Sequence, residues 1–318
     1  MSRVLQGSEK VSPATRERVL AVMGEADYRP HAAARAMKTR RSGTIGVVVA
    51  DVTNPFYPEL LDVVSHELGQ SGQRMILWNS GEPGEHSALE AIREGAVDGL
   101  LFTTVIEGAA PLEAALAQGA PVVLLHRGLE APPCDQVVSD NVAGGRTVAE
   151  YLVTAGHERI GFLQGPELPS TAVQREYGFR QRLTELDVPL HSELVARAEF
   201  RHDAARAAMR SFLGQGQPPT AVFCANDLTA FGAIDGALSL GWRVPADVWV
   251  IGYDDIAMAA WDVFDLTTVR QPIGDMVRTA VRFLIERIDE PELPVRREVF
   301  ENTLTVRGST AHVPMACG

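Results

Sequence analysis

Few side chains in this 318-residue sequence stand in an arrangement suited to covalent chemistry. Asp254 and Asp255 are carboxylates of the kind used for general acid–base work. Adjacent residues at a strand end, however, point in different directions and as readily cap a turn. His66-Glu67 and His157-Glu158 have no second histidine four residues on, so the zinc-protease helix is absent. Gly214-Gln215-Gly216 lacks a third glycine and a preceding strand, no glycine loop ends in Lys-Ser/Thr, and no Gly-x-Ser-x-Gly elbow occurs. Cys134, Cys224 and Cys317 are odd in number and far apart, which fits neither a disulfide framework nor a zinc knuckle. The expectation is a protein that binds rather than turns over: no enzyme, no metal, no cofactor.

The elements that must position any binding site follow from length and pattern. The chain is twice the size of a typical domain, so two lobes are expected, and 46% hydrophobic with 22% charged residues excludes a disordered or fibrous chain. No run is apolar enough to span a membrane, and Arg3, Glu9 and Lys10 interrupt the N-terminus where a signal peptide is apolar. A cytoplasmic protein without membrane contact is expected. Charge is uneven: residues 1–41 carry nine Lys/Arg against four Asp/Glu, a balance of +5, and the remainder sums to −17. An acidic body repels polyanions, so any nucleic-acid contact must come through the first 41 residues.

From residue 42 the pattern alternates strand and helix. Thr44–Asp51 reads as a buried strand, and Asn54-Pro55 open a helix with Leu60, Leu61, Val64 and Leu68 on one face and Gly72 at its end. Apolar runs at Met75–Ser80, Gly99–Thr104 and Pro121–Arg127 continue the series, with helical stretches around Ala88–Glu94 and Leu112–Ala117. A second series runs through strand Arg159–Pro166, helix Ala172–Leu186, strand Leu194–Phe200, helix His202–Leu213, strand Ala221–Ala225, helix Asp227–Leu240 and strand Val248–Asp254. Helix Ile273–Ile288 and a terminal strand Val299–Val306 follow. Two such sets describe two Rossmann-like α/β lobes, whose facing strand ends would enclose a small molecule. Ahead of them, Ser12 caps and Pro13 opens a short helix with Val19, Leu20, Met23 and Ala26 as its stripe. Pro30 opens another through Met37.

Ordered motifs along nearly the whole chain resemble one family. Residues 2–19 with Tyr28–Met37 look like a DNA-binding headpiece. Asp51-Val-Thr-Asn-Pro-Phe-Tyr, Ser139-Asp-Asn-Val-Ala-Gly-Gly, Ala155-Gly-His-Glu-Arg-Ile-Gly, Ala225-Asn-Asp, Ile251-Gly-Tyr-Asp-Asp and Leu266-Thr-Thr-Val-Arg-Gln-Pro follow in order. Together they resemble the lactose-repressor (LacI/GalR) transcription factors. The resemblance implies an α/β core of two lobes of periplasmic-binding-protein type, preceded by a partial all-α helix-turn-helix headpiece and a hinge helix. It implies domains at 1–41, at 42–162 plus 272–293, and at 163–271 plus 294–318, joined by three crossovers. It also implies a homodimer on double-stranded operator DNA and a ligand-responsive repressor with a small carbohydrate-like effector in the cleft. A sugar-binding module without sequence-specific DNA contact is the alternative. The sequence starts inside the family's second helix, with Met1 where valine is usual, so the natural start is expected about 20 residues upstream, the missing part of such a motif.

The resemblance also assigns residues. Ser2, Arg3, Tyr28, Arg35, Met37 and Lys38 fall to DNA, with Met37 as the minor-groove wedge and Arg35, Lys38, Arg40 and Arg41 as phosphate contacts. Such contacts make affinity fall steeply with salt. Phe56, Tyr57, Asp140, Arg175, Phe223, Asn226, Asp254, Trp261 and Gln271 fall to the effector. Amide and charged groups suit polyols because each can bridge two hydroxyls. Several also have a structural alternative: an interlobe ion pair for Arg175, a helix cap for Asn226, strand-end capping for Asp254, core packing for Phe223, Trp261 and one of Phe56 and Tyr57. His126 stands where many members have aspartate before Arg127, which puts that contact in doubt. Thr171 matches a threonine of a purine-binding member whose nearby arginine is here Pro169, so a carbohydrate is favoured over a purine.

Overall fold

Two runs of β-branched and leucine-rich strands build two sheets. The computed structural model describes residues 4, 11–25, 41–49, 51–80, 82–106 and 108–310. They fall into two units, Met1–Gly43 and Thr44–Gly318. In the first, helix α1 (Pro13–Glu25) begins as expected, with the Ser12 hydroxyl accepting the Thr15 amide at 3.3 Å.

In the second unit, strands β1 (Thr44–Val49), β2 (Arg74–Asn79), β3 (Gly99–Phe102), β4 (Val122–Leu125), β5 (Asp135–Ser139) and β11 (Arg297–Phe300) form the first sheet, in the order β11-β5-β4-β3-β1-β2. Strands β6 (Ile160–Gln164), β7 (Val195–Arg197), β8 (Ala221–Cys224), β9 (Trp249–Asp254), β10 (Thr267–Arg270) and β12 (Thr303–Thr305) form the second, in the order β12-β10-β9-β8-β6-β7. All pairings are parallel except β10 with β12. Helices α2 (Phe56–Gln70), α3 (Glu82–Arg93) and α4 (Ala110–Ala117) belong to the first lobe, and α9 (Ile273–Asp289) returns to pack on it. Helices α5 (Asn141–Thr154), α6 (Ser170–Glu185), α7 (His202–Leu213) and α8 (Asp227–Leu238) belong to the second. Covered faces explain the unbroken apolar runs: Ile45, Val47 and Val49 pack on one side of β1 and Val48 on the other.

The structure adds elements that composition hid. Strand β5 opens on a charged residue, Asp135, which is buried because Arg287 and Arg296 reach it at 2.8 and 2.7 Å. Helix α5 contains Gly144-Gly145, a pair that costs helix propensity. The pair serves packing: a Cβ on Gly145 would meet the Arg175 carbonyl at 2.2 Å, and one on Gly178 the Val142 carbonyl at 2.0 Å. Small residues thus bring α5 against α6 and set the position of Arg175.

The lobe boundaries differ from the expected ones. The first crossover lies at Ser139–Asn141, not at 162, because α5 packs into the second lobe through Val148, Tyr151 and Leu152. The expected strand Val299–Val306 is two strands, with residues 297–300 completing the first sheet and 303–305 the second. The polar pair Glu301-Asn302 is the third crossover. The expected strand Leu194–Phe200 shortens to β7, preceded by a 3-10 turn, since Glu199 and Phe200 adopt φ of 54° and 58°.

Candidate cleft between the lobes

Arg175 is the centre of the site, a large cation only 1% exposed. Its Nε donates to Asn141 Oδ1 at 2.9 Å, Nη1 to the Ala225 carbonyl at 2.7 Å, and Nη2 to Asp254 Oδ1 at 2.9 Å. The Tyr253 ring lies 3.7 Å beneath the guanidinium carbon. Each of the three nitrogens of the cation therefore makes a hydrogen bond, one of them to a carboxylate, as a buried charge requires. All these partners belong to the second lobe, so the ion pair lies within that lobe rather than across the lobes.

The link between lobes passes through Gln271, at the crossover from β10 to α9. Its Nε2 donates to Asp254 Oδ1 at 2.8 Å, and its Oε1 accepts from the Ser139 hydroxyl at 2.8 Å, at the end of β5. Both bonds to Asp254 end on Oδ1, so among the described residues no side-chain donor reaches Oδ2. Asp254 ends β9 with φ of 118°, and Asp255 has φ of 56°, a sharp turn that separates the two carboxylates. Asp255 instead pairs with Arg270 and with Arg307. Burial pushes the Asp254 carboxyl up to about 6. Asp227 shapes this turn from below: its Oδ2 accepts the Ile256 amide at 2.9 Å and its Oδ1 the Thr268 hydroxyl at 2.5 Å. Burial, reinforced by Asp254, pushes the Asp227 carboxyl well above its ordinary range.

From the first lobe, Phe56 and Tyr57 start α2 at the end of β1 and are both buried. The Phe56 ring is 4.4 Å from that of His126 and 5.4 Å from Tyr57. His126, at φ of 74°, ends β4. Burial first, then Arg175 and Arg127, hold its imidazole well below the usual histidine range, so the ring is neutral at pH 7. Burial also raises the Tyr57 phenol. Further along, Glu59 accepts the Ala257 amide with both oxygens, at 2.9 and 3.1 Å, tying α2 to the second lobe. A cavity of about 500 Å³ opens there, lined by Phe56, Glu59, Asp254, Ala257 and Gln271 among others. Its size is that of small-molecule sites.

Of the nine residues assigned to the effector, the structure brings Phe56, Tyr57, Arg175, Asp254 and Gln271 together. Asn226 lies beside them as the cap of α8, its Oδ1 taking the Thr229 amide at 2.9 Å. Asp140 caps α5 through the Ala143 amide at 2.8 Å. Two others stand elsewhere. Phe223 points to the opposite face of β8 from Val222 and Cys224, into a ring cluster with Phe162 at 5.3 Å and Phe179 at 4.8 Å. Trp261 ends the 3-10 turn Ala257–Ala260 and is 53% exposed. Ser2, Arg3, Tyr28, Arg35, Met37, Lys38 and Arg40, with the hinge helix, lie outside the described residues.

Sequence reasoning passed over Asn141, Ser139, Tyr253, Glu59 and Asn302. Asn302 Nδ2 donates to the Asp140 carbonyl at 2.9 Å and the Tyr253 hydroxyl at 2.7 Å, joining the third crossover to the first and to the ring under Arg175. The signal was a polar pair interrupting an otherwise apolar terminal strand.

Comparison with known proteins bears directly on this geometry. Residues 1–31 match the description "Bacterial regulatory proteins, lacI family", and residues 149–310 match "Periplasmic binding protein-like domain". The regulator CelR of Thermobifida fusca is 35% identical over 97% of this chain and 93% of its own length. The ribose operon repressor of Haemophilus influenzae is 30% identical, again covering 97% and 93%. The chain belongs to the LacI family. Among solved structures, a CelR–cellobiose complex superposes with a TM-score of 0.78 at 32% identity, covering 97% of this chain and 94% of that one. A LacI-family regulator from Enterococcus faecium with bound ribose gives 0.75 at 28% identity, covering 84% and 98%. As a LacI-family member this protein is a DNA-binding transcriptional regulator with a two-lobed, ligand-binding core. Among the described residues no helix is long and apolar enough to cross a membrane.

Proposed function

We propose that this regulator is a repressor whose lobes close on a small carbohydrate-like effector, which it binds without turnover, and that it acts as a homodimer on operator DNA. One observation carries the reading: the Ser139–Gln271–Asp254–Arg175 chain of hydrogen bonds, which runs from one lobe to the other past the cavity. It presents Asp254 Oδ2, with aromatic rings opposite, as a polyol site requires. An effector that prefers one lobe angle biases that angle, and the differential binding is what can be passed to DNA. The relatives named for ribose and cellobiose support a sugar. The exposed Ile76 and Leu77 on the edge strand β2 support a second copy as partner.

Calorimetry with cellobiose, ribose and a wider sugar panel tests the effector, and operator selection from random duplexes tests DNA binding with and without the bound sugar. The expected result is sugar binding that changes DNA retention at least tenfold. Sugar binding with no DNA selection leaves a binding module only, and conversion of the sugar to product overturns the reading.

A further inference from the structure

Arg127 follows His126 at the end of β4 and is only 9% exposed. No ion pair or side-chain hydrogen bond satisfies it among the described residues, and its Nε is buried without an acceptor. Nearby charges do not answer it. Asp254 is taken by Arg175 and Gln271, and Asp51 is exposed with its Oδ1 on the Thr53 amide and hydroxyl. Glu59 is bonded to Ala257, and Asp227 to Ile256 and Thr268. Its neighbours His126 and Tyr57 are neutral. None of these carboxylates bonds the Arg127 guanidinium.

A second group of unsatisfied donors adjoins this strand end. Helix α6 has Pro169 at its cap position and no side-chain cap, so the amides of its first turn have no acceptor within the helix. The Thr171 hydroxyl is also buried and unpartnered. This helix start meets the Arg127 strand end: the Gly128 amide donates to the Ser170 hydroxyl at 3.1 Å. An uncapped helix N-terminus, the Thr171 hydroxyl and a guanidinium with a buried, unpaired Nε all call for acceptor oxygens, and the positive charge of the first and last favours an anionic one.

We propose that the effector carries an acid group, a carboxylate or phosphate on the sugar, which Arg127 and the start of α6 bind as its counter-charge. This deepens the carbohydrate reading and rests on it. The acid group bonds the Arg127 fork and the α6 amides, while the hydroxyls meet Asp254 and His126.

The test uses the full chain and matched pairs: glucose with glucuronate and with glucose 6-phosphate, galactose with galacturonate, and cellobiose and ribose as neutral references. At least one acid is expected to bind tenfold or more tightly than its neutral partner, with the two acid types separating carboxylate from phosphate. Arg127→Met removes that preference, and Arg127→Lys keeps it in weakened form. Without any sugar, Arg127→Met melts about 2–4 °C higher, because an uncompensated buried charge is gone. Equal or tighter binding of the neutral sugars overturns the acid inference and leaves the carbohydrate reading standing. An acid preference that survives Arg127→Met, or a ligand-free Arg127→Met that melts lower, overturns the role of Arg127. Silence across all sugars overturns both readings.

Discussion

Arg175 and Arg127 are arginines buried between the same two sheets, and the fold treats them differently. Around Arg175 each nitrogen has an acceptor, the ring of Tyr253 lies beneath, and Asn302 fixes that ring from the third crossover. Elsewhere Arg127 Nε, His126 Nδ1 and the Thr171 hydroxyl are buried and left over, beside a helix start with no side-chain cap. Buried polar groups are normally satisfied, and leaving one unmade costs about 1–3 kcal/mol. The contrast separates a region that holds the protein together from a region that waits for something else. It also says which substitutions should damage stability and which should damage binding alone.

The largest expected effect is at the satisfied end. Arg175→Ala leaves Asp254 buried without its cation and should cost roughly 3–5 kcal/mol in urea unfolding, with effector binding lost. A loss below about 1 kcal/mol means the pair is not the keystone described here.

Next is a pH effect from Asp254. Its folded pKa of about 6 lies above the ordinary 3.8, so the native state binds the proton more tightly than the unfolded chain. This carboxyl therefore contributes most stability below pH 4, loses it as pH rises towards 6, and contributes a constant amount above. Other carboxylates slope the opposite way, Asp135 being held low by Arg296 and Arg287 against its burial. The readout is thus the difference between wild type and Asp254→Asn across pH 4–7. A flat difference contradicts the assignment.

Asn302→Ala comes third, removing two bonds at the hinge for a cost of roughly 1–3 kcal/mol in a thermal melt. An unchanged melt would show that the third crossover is held by its backbone pairing alone. The smallest effect is at the other end. Thr171→Val deletes a hydroxyl with no partner, so the ligand-free protein should keep its stability or gain up to about 1 kcal/mol while the effector binds more weakly. A destabilised Thr171→Val would erase the distinction between the two regions.

Much of this architecture was legible in residue order. Helix His202–Leu213 and the covered strands of both lobes follow from apolar spacing, because burial on two faces demands unbroken β-branched runs. Strand β5 and helix α5 were not legible as elements. A buried aspartate and a glycine pair contradict local propensity, and only Arg287, Arg296 and the α5–α6 contact make them favourable. For Phe223 the sequence left cleft wall and core packing open, because its side-chain direction depends on which face of β8 the ring cluster with Phe162 and Phe179 covers.

The sequence by itself determined the alternating α/β plan, the charge division between a basic start and an acidic body, and the residue types available for a polyol site. Tertiary structure decided where the chain crosses between lobes and which carboxylate of Asp254-Asp255 faces the cleft. It also decided which of two arginines is satisfied. Local pattern reports what a residue can bond to, whereas satisfaction of a buried charge depends on partners as far apart in the chain as Ser139 and Gln271, which only the folded topology brings within 2.8 Å.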